Sequence, residues 1–404
     1  MAGLAPLVRL DNPVRDYAWG SRTAIAELQA RPAPTAAPEA ELWVGAHPTS
    51  PSRLPDGRPL DAVIATDPDR WLGSDAVATH GPALPFLLKV LAVDRSLSLQ
   101  AHPTAEQAAT GFAREEAAGI PLDARHRTYR DRNPKPELLC ALTPFHALCG
   151  FRPVDATLEL LDALAVRGLE PQRDLLRRQG AAALPEVVRG LLRLGPSDAG
   201  RLVQGLRQAA VTARDTASGG ALDDLARLVV DLSVRYPQDP GVVVAALLNR
   251  VTLAPGEAIY LPAGVIHAYL RGVGVEIMAN SDNVLRGGLT SKHVDVTELL
   301  DILHLEPTEV VPVEPQGTPP GPVSYPTPTD HFSLTRLDLD GTAVVELAEP
   351  TIRVILCVAG SLDVTADGTR VTVTSGQAVA APAATAGVHL AGRGQAFLAA
   401  PGGC

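Results

Sequence analysis

The side chains in this chain best suited to chemistry are Gln100 and His102, spaced at i and i+2, with Glu137 and His267 far along the sequence. Two imidazoles and a carboxylate suit Zn²⁺. A single carboxylate leaves such a site with a net charge of about +1, enough to polarise a bound oxygen, where several thiolates would quench it. Glutamine is an unusual fourth ligand that spacing alone does not select. The alternative is a histidine that merely ends a half-exposed strand.

The elements that must position these residues can be read around them. In Ser96-Leu97-Ser98-Leu99-Gln100-Ala101-His102-Pro103, a strand would put Ser96, Ser98, Gln100 and His102 on one face and Leu97, Leu99 and Ala101 on the other. Pro103 cannot donate to a ladder and ends it. In Tyr129-Arg130-Asp131-Arg132-Asn133-Pro134-Lys135-Pro136-Glu137, two prolines hold Lys135 extended, so Lys135 and Glu137 can share a face. A charged surface turn is the competing reading, but the apolar run Leu138–Phe151 that follows implies a buried start. Pro85–Val93 is nearly all apolar around one Lys89, which must either snorkel outward, the usual outcome, or point into a polar cavity. Thr104 and Gln107 fit a capping box for a helix over 104–119 that Gly119 stops.

Leucines and valines recur at helical spacing from about 154 to 236, broken by Gly168, Gly195-Pro196 and Gly219-Gly220. Strand patterns return at 251–264, so the helical block reads as an insertion into a β domain. Residues 307–328 are proline-rich and read as a linker or wrapping loop, and short strands with Asp-Gly turns follow from about 331. Val371–Ala383 echoes Val251–Ala263. In that echo Gly387 stands where His267 would, so the second copy lacks the ligand, and His389 is incidental.

With 404 residues, two or three domains are expected. A net charge of −10 argues against a nucleic-acid partner. Four cysteines without CxxC spacing, no signal-like N-terminus and no membrane-length apolar run fit a cytoplasmic protein. The oligomeric state is left open.

Tyr129–Glu137 (YRDRNPKPE) resembles the first signature of type I mannose-6-phosphate isomerases, and HAYLRGVGVEIMANSDNVLRGGLTSK at 267–292 resembles the second almost end to end. LSLQAHPT, ELWVGAHPTSPS and YAWGS are similar to the family as well. The resemblance implies two cupin-type, jelly-roll-like β barrels with an inserted α domain: 1–152 and 239–306 as the catalytic barrel, 153–238 the helical insertion, 307–330 a linker, and 331–404 a degenerate barrel without metal. It implies one Zn²⁺ per chain on Gln100, His102, Glu137 and His267, catalytic roles for Arg286 and Lys135, and a substrate pocket lined by Trp19, Lys89, Ser98, Glu276, Asp282 and Lys292. Pro134, Gly287 and Ser291 depart from the usual His, Ala and Pro, and none removes a ligand or a charge.

The reaction so implied interconverts mannose 6-phosphate and fructose 6-phosphate through a cis-enediol(ate), whose negative charge zinc and Arg286 would stabilise. Lys89, Lys292 and Ser98 are candidates for the phosphate. Glu276, Lys135, Asp282 and a water on the metal all remain open as the base. Two other readings stand beside it: a phosphosugar sensor without turnover, and a cupin-type metal oxygenase, for which a His-rich iron set would be expected instead of a glutamine.

Overall fold

The computed structural model describes residues 5–216 and 219–403. The first of its two sheets is built around His267–Ala279, a strand of 13 residues. Its first half pairs with Leu99–Ala101 and with Phe145–Phe151, and its second half with Phe86–Val93 and Glu137–Ala141. The partners change at a bulge between Tyr269 and Arg271 and at Gly272, where φ is +135°. A Cβ at Gly272 would lie 2.6 Å from the Phe145 ring, so the corner needs glycine twice over. A bulged strand that changes partners turns a corner, and residues of both halves then line one space.

This sheet has ten strands and the second has eight among the described residues, with antiparallel strand pairing throughout both ladders. The second is ordered Val8–Leu10, Ala378–Ala381, Arg353–Ala366, Val388–Ala400, Ser333–Asp340, Gly321–Ser324. Two of its strands come from stretches outside its main run in the sequence. Val8–Leu10 pairs with Ala378–Ala380 of the second sheet, not with the first. The proline-rich stretch is not all linker, since Gly321–Ser324 pairs with Ser333–Asp340. The sheets share one core, in which Leu42, Phe86, Leu88 and Ile277 join Val354, Leu356 and Phe397.

Five helices, from Val154–Leu164 to Gly220–Arg235, lie between the strands Phe145–Phe151 and Leu248–Leu253, and those two strands pair with each other. Leu161, Val188, Leu206, Leu225 and Leu232 are buried at the spacing that the sequence shows. Each such side chain contributes about 1.5–3 kcal/mol. Their cluster runs on into Leu99, Ala101, Leu148 and Ile266, so the helices brace the back of the strands that carry Gln100 and His267.

Thr104 and Gln107 make the expected reciprocal cap on Ala105–Ala117. The strand expected over 96–102 shrinks to Leu99–Ala101, because the Leu97 amide instead bonds the Tyr269 carbonyl beyond the regular ladder. No helix among the described residues is long and apolar enough to cross a membrane.

Candidate active site

Strand register assembles the site in two rows. Gln100 lies opposite His267 on one side and Arg286 on the other, so three neighbouring strands bring Arg286, Gln100 and His267 onto one face. Leu99 and Ala101, pointing the other way, are buried against the helices. In the second row Trp43 pairs with Lys89, and Lys89 with Glu276. Glu137 opens the strand on the far side of Glu276's own, opposite Met278 and Leu261.

His102, Glu137 and His267 are buried, and one ligand atom from each falls within 4.8 Å of the other two. The Nδ1 of His102 lies 2.7 Å from the Asn283 carbonyl and that of His267 lies 2.9 Å from the Val265 carbonyl. A carbonyl accepts only, so both Nδ1 atoms carry hydrogen and both Nε2 lone pairs are left over. Those Nε2 atoms face the Glu137 carboxylate at 3.3 and 3.5 Å. The His102 Nε2 is fully buried and has no hydrogen-bond partner. Two lone pairs and an anion converging in a buried space are what a dication relieves, so the three residues fit a metal, with Gln100 directly across the ladder from His267.

The electrostatics agree with this. Burial disfavours charge on Glu137, but Lys135, whose Nζ lies 2.8 Å from Oε1, and the His102 ring hold its carboxyl well below the usual range. Burial, aided by the Lys135 charge, pushes His102 down to about 4, so its ring is neutral and can ligate.

Lys89 does not snorkel. It is buried, its Nζ lies 3.1 Å from Glu276 and 3.7 Å from Glu41, and it sits 5.4 Å over the Trp43 ring. Burial lowers its proton affinity, yet the two carboxylates outweigh that and hold it above the usual lysine value. Burial raises Glu276, and Glu137 adds to the effect against Lys89. Asp282 is half-buried with its carboxylate 3.5 Å from His47; burial raises its pKa, but His47 prevails and keeps it low.

Arg286 and Lys292 make no ion pair among the described residues. Burial lowers the proton affinity of both, as do their neighbours: Arg130 acts on Arg286, and Arg286 and Arg130 act on Lys292. Arg130, Arg286 and Lys292 thus act on one another as like charges with no ion pair among the described residues, an arrangement suited to an anion. Lys292 itself is exposed, on the loop after Leu285–Gly288. Trp19 is half-buried, stacked on Tyr17 and packed against the cluster that holds Tyr269, while Ser98 is half-buried and makes no hydrogen bond to the other site residues.

The model of the phosphomannose isomerase type I catalytic domain matches residues 7–154. The mannose-6-phosphate isomerase of Escherichia coli is 40% identical over 361 residues, covering 87% of this chain and 88% of its own. That of Salmonella typhimurium is 36% identical over 392 residues, covering 96% and 97%. This chain belongs to the type I mannose-6-phosphate isomerase family. A solved structure of the family member from Salmonella typhimurium, bound to its substrate fructose 6-phosphate and a zinc atom, superposes with a TM-score of 0.88 at 35% identity, covering 98% of this chain and 100% of that one.

Several residues of the site escape a reading of the sequence. Glu41 and His47 flank the pocket. Alternation along Glu41-Leu42-Trp43-Val44-Gly45-Ala46-His47 places Glu41, Trp43 and His47 on one face, a signal that was there to use. The Tyr269 hydroxyl is buried without a hydrogen bond; burial raises its pKa, as does Glu276 beside it. Asn283 is wholly buried: its Oδ1 accepts from the amide of Arg130 at 2.8 Å and its Nδ2 donates to the carbonyls of Asp131 and Asn133, both at 2.9 Å. It thereby fastens the loop that leads to Lys135 and Glu137.

Proposed function

We propose that the chain is a zinc-dependent aldose–ketose isomerase that interconverts mannose 6-phosphate and fructose 6-phosphate through a cis-enediol(ate). The observation that carries this is the buried His102–Glu137–His267 group, with its unpartnered Nε2, in a member of this family. Gln100 completes the ligand set. Zinc, when bound there, supplies positive charge where the two sugar oxygens gain negative charge.

The chain's own residues supply the rest. Arg286, beside Gln100 in register, keeps a planar positive charge near the enediolate oxygens. Lys292, with Arg130, takes the phosphate. Lys89 is committed to Glu41 and Glu276, so it orders those carboxylates and leaves the phosphate to the unpaired cations. Lys135 and Glu276 are the buried groups set to move protons between C1 and C2, and burial suits Glu276 to hold one. Asp282, on His47, and Ser98 and Trp19 bound the sugar.

The fold that serves this is read as two cupin-type barrels with a helical domain inserted at 153–238. The pairing of the strands on either side of the helices supports the insertion. The boundaries 1–152, 239–306, 307–330 and 331–404 serve as the domain limits once Val8–Leu10 and Gly321–Ser324 are given to the second unit. Three buried free thiols, Cys140, Cys149 and Cys357, fit a cytoplasmic enzyme.

The test is turnover of mannose 6-phosphate in D₂O followed by NMR. Fructose 6-phosphate carrying deuterium at C1 is expected, since the proton leaves C2 and one returns to C1 from a group in exchange with solvent. Failure to form fructose 6-phosphate would overturn the assignment.

A further inference from the structure

His80, Asp330 and His331 form a second group whose residue types and spacing suit a metal. None of them is hydrogen-bonded or ion-paired to the isomerase centre. His80 ends the helix Ser74–His80, ahead of the first sheet's Phe86–Val93. Asp330 and His331 precede Ser333–Asp340 of the second sheet. The group thus joins stretches roughly 250 residues apart, one leading into each sheet.

The two imidazole rings lie with centroids 5.2 Å apart and planes tilted by 43°. One ligand atom from each of the three residues falls within 4.8 Å of the others. The His331 ring is held, with Nδ1 3.1 Å from Asp330 Oδ1 and 3.2 Å from Thr329 Oγ1. Its loop is pinned as well, since the Gly402 amide bonds the Asp330 carbonyl at 3.0 Å. The His80 ring makes no hydrogen bond or ion pair within the described chain.

Two nitrogen donors and one carboxylate at a partly open surface suit zinc or a neighbouring transition metal, whereas Ca²⁺ and Mg²⁺ call for oxygen-rich sets. Ligand atoms around a tetrahedral zinc, with bonds of about 2.0–2.1 Å, stand roughly 3.3 Å apart. The ligand atoms here lie within 4.8 Å of one another, and the His80 ring and the exposed Asp330 carboxylate are the groups that would close on an ion.

We propose that His80, Asp330 and His331 bind a second divalent zinc-like ion that ties the helix Ser74–His80 to the second sheet. The ion is additional to the single zinc of the isomerase centre and does not depend on that reading. It stabilises the folded chain by mass action, because the unfolded chain does not hold the three side chains together.

The experiment is equilibrium dialysis of the zinc-loaded enzyme against micromolar free Zn²⁺, with thermal unfolding followed alongside. It uses a Cys404→Ser parent to remove a competing thiol outside the described residues. Two zinc ions per chain are expected in the parent and one in His80→Ala, in the milder His80→Gln and in His331→Ala. Isomerase activity should be equal in all four proteins, and zinc beyond the first equivalent should raise the unfolding temperature of the parent alone. A zinc content that is the same in the parent and in the His80 or His331 variants would overturn the proposal.

Discussion

His102 donates its Nδ1–H to the backbone carbonyl of Asn283 at 2.7 Å, and the Asn283 side chain at the same time clamps the loop at 130–133. One buried residue therefore fixes the tautomer of His102 through its backbone and the approach of Glu137, another group proposed to hold the metal, through its side chain. Asn283→Ala keeps that carbonyl but releases the loop before Glu137, and should lower zinc affinity by about 10-fold, the low end of what losing a supporting hydrogen bond costs. Competition with a chromophoric chelator measures it. Asn283→Asp should restore part of the affinity, since it keeps one acceptor for the amides of Arg130 and Asp131.

His102→Ala removes an imidazole outright and should lose the active-site zinc and activity. Metal analysis of the purified variant checks this, and full zinc content would show that His102 is not a ligand.

Arg286→Lys separates two roles. If Arg286 steadies the enediolate, kcat and kcat/KM fall together by roughly 10²–10³-fold while KM changes little. A steep rise in KM, with a substrate lacking phosphate spared, would move Arg286 to the phosphate site. The first outcome is expected, because its register partner is Gln100.

The metal-free protein should lose stability in acid through His102. Burial and Lys135 depress this ring from its ordinary 6.5 to about 4. Between those values the unfolded chain binds the extra proton, so the stability His102 contributes is complete above about pH 6.5 and is lost as pH falls towards 4. The full effect is about 3 kcal/mol. Urea unfolding of the chelated protein at pH 7 and pH 5 should show a smaller loss in His102→Gln than in the parent.

That His102, Glu137 and His267 would come together was legible in the sequence because strand alternation and two long motifs point to them. Lys89 was harder. A lone lysine in an apolar run normally reaches for water, and only Glu41 and Glu276, which come from other strands, make its burial tolerable. Asn283 and Arg130 were hidden for a related reason. Their roles arise from a loop folding across a distant strand end, which no local period encodes. The pairing of Val8–Leu10 with Ala378–Ala380 was not legible, because a three-residue strand carries no sign of which sheet it will join.

The central claim is tested most directly by assaying the conversion of mannose 6-phosphate to fructose 6-phosphate in three samples of one preparation: zinc-loaded, chelator-stripped, and stripped then reloaded with zinc. The account predicts turnover in the first, its loss in the second and its return in the third at about one zinc per active site. Undiminished turnover by the stripped protein, or none by the zinc-loaded protein, would contradict it.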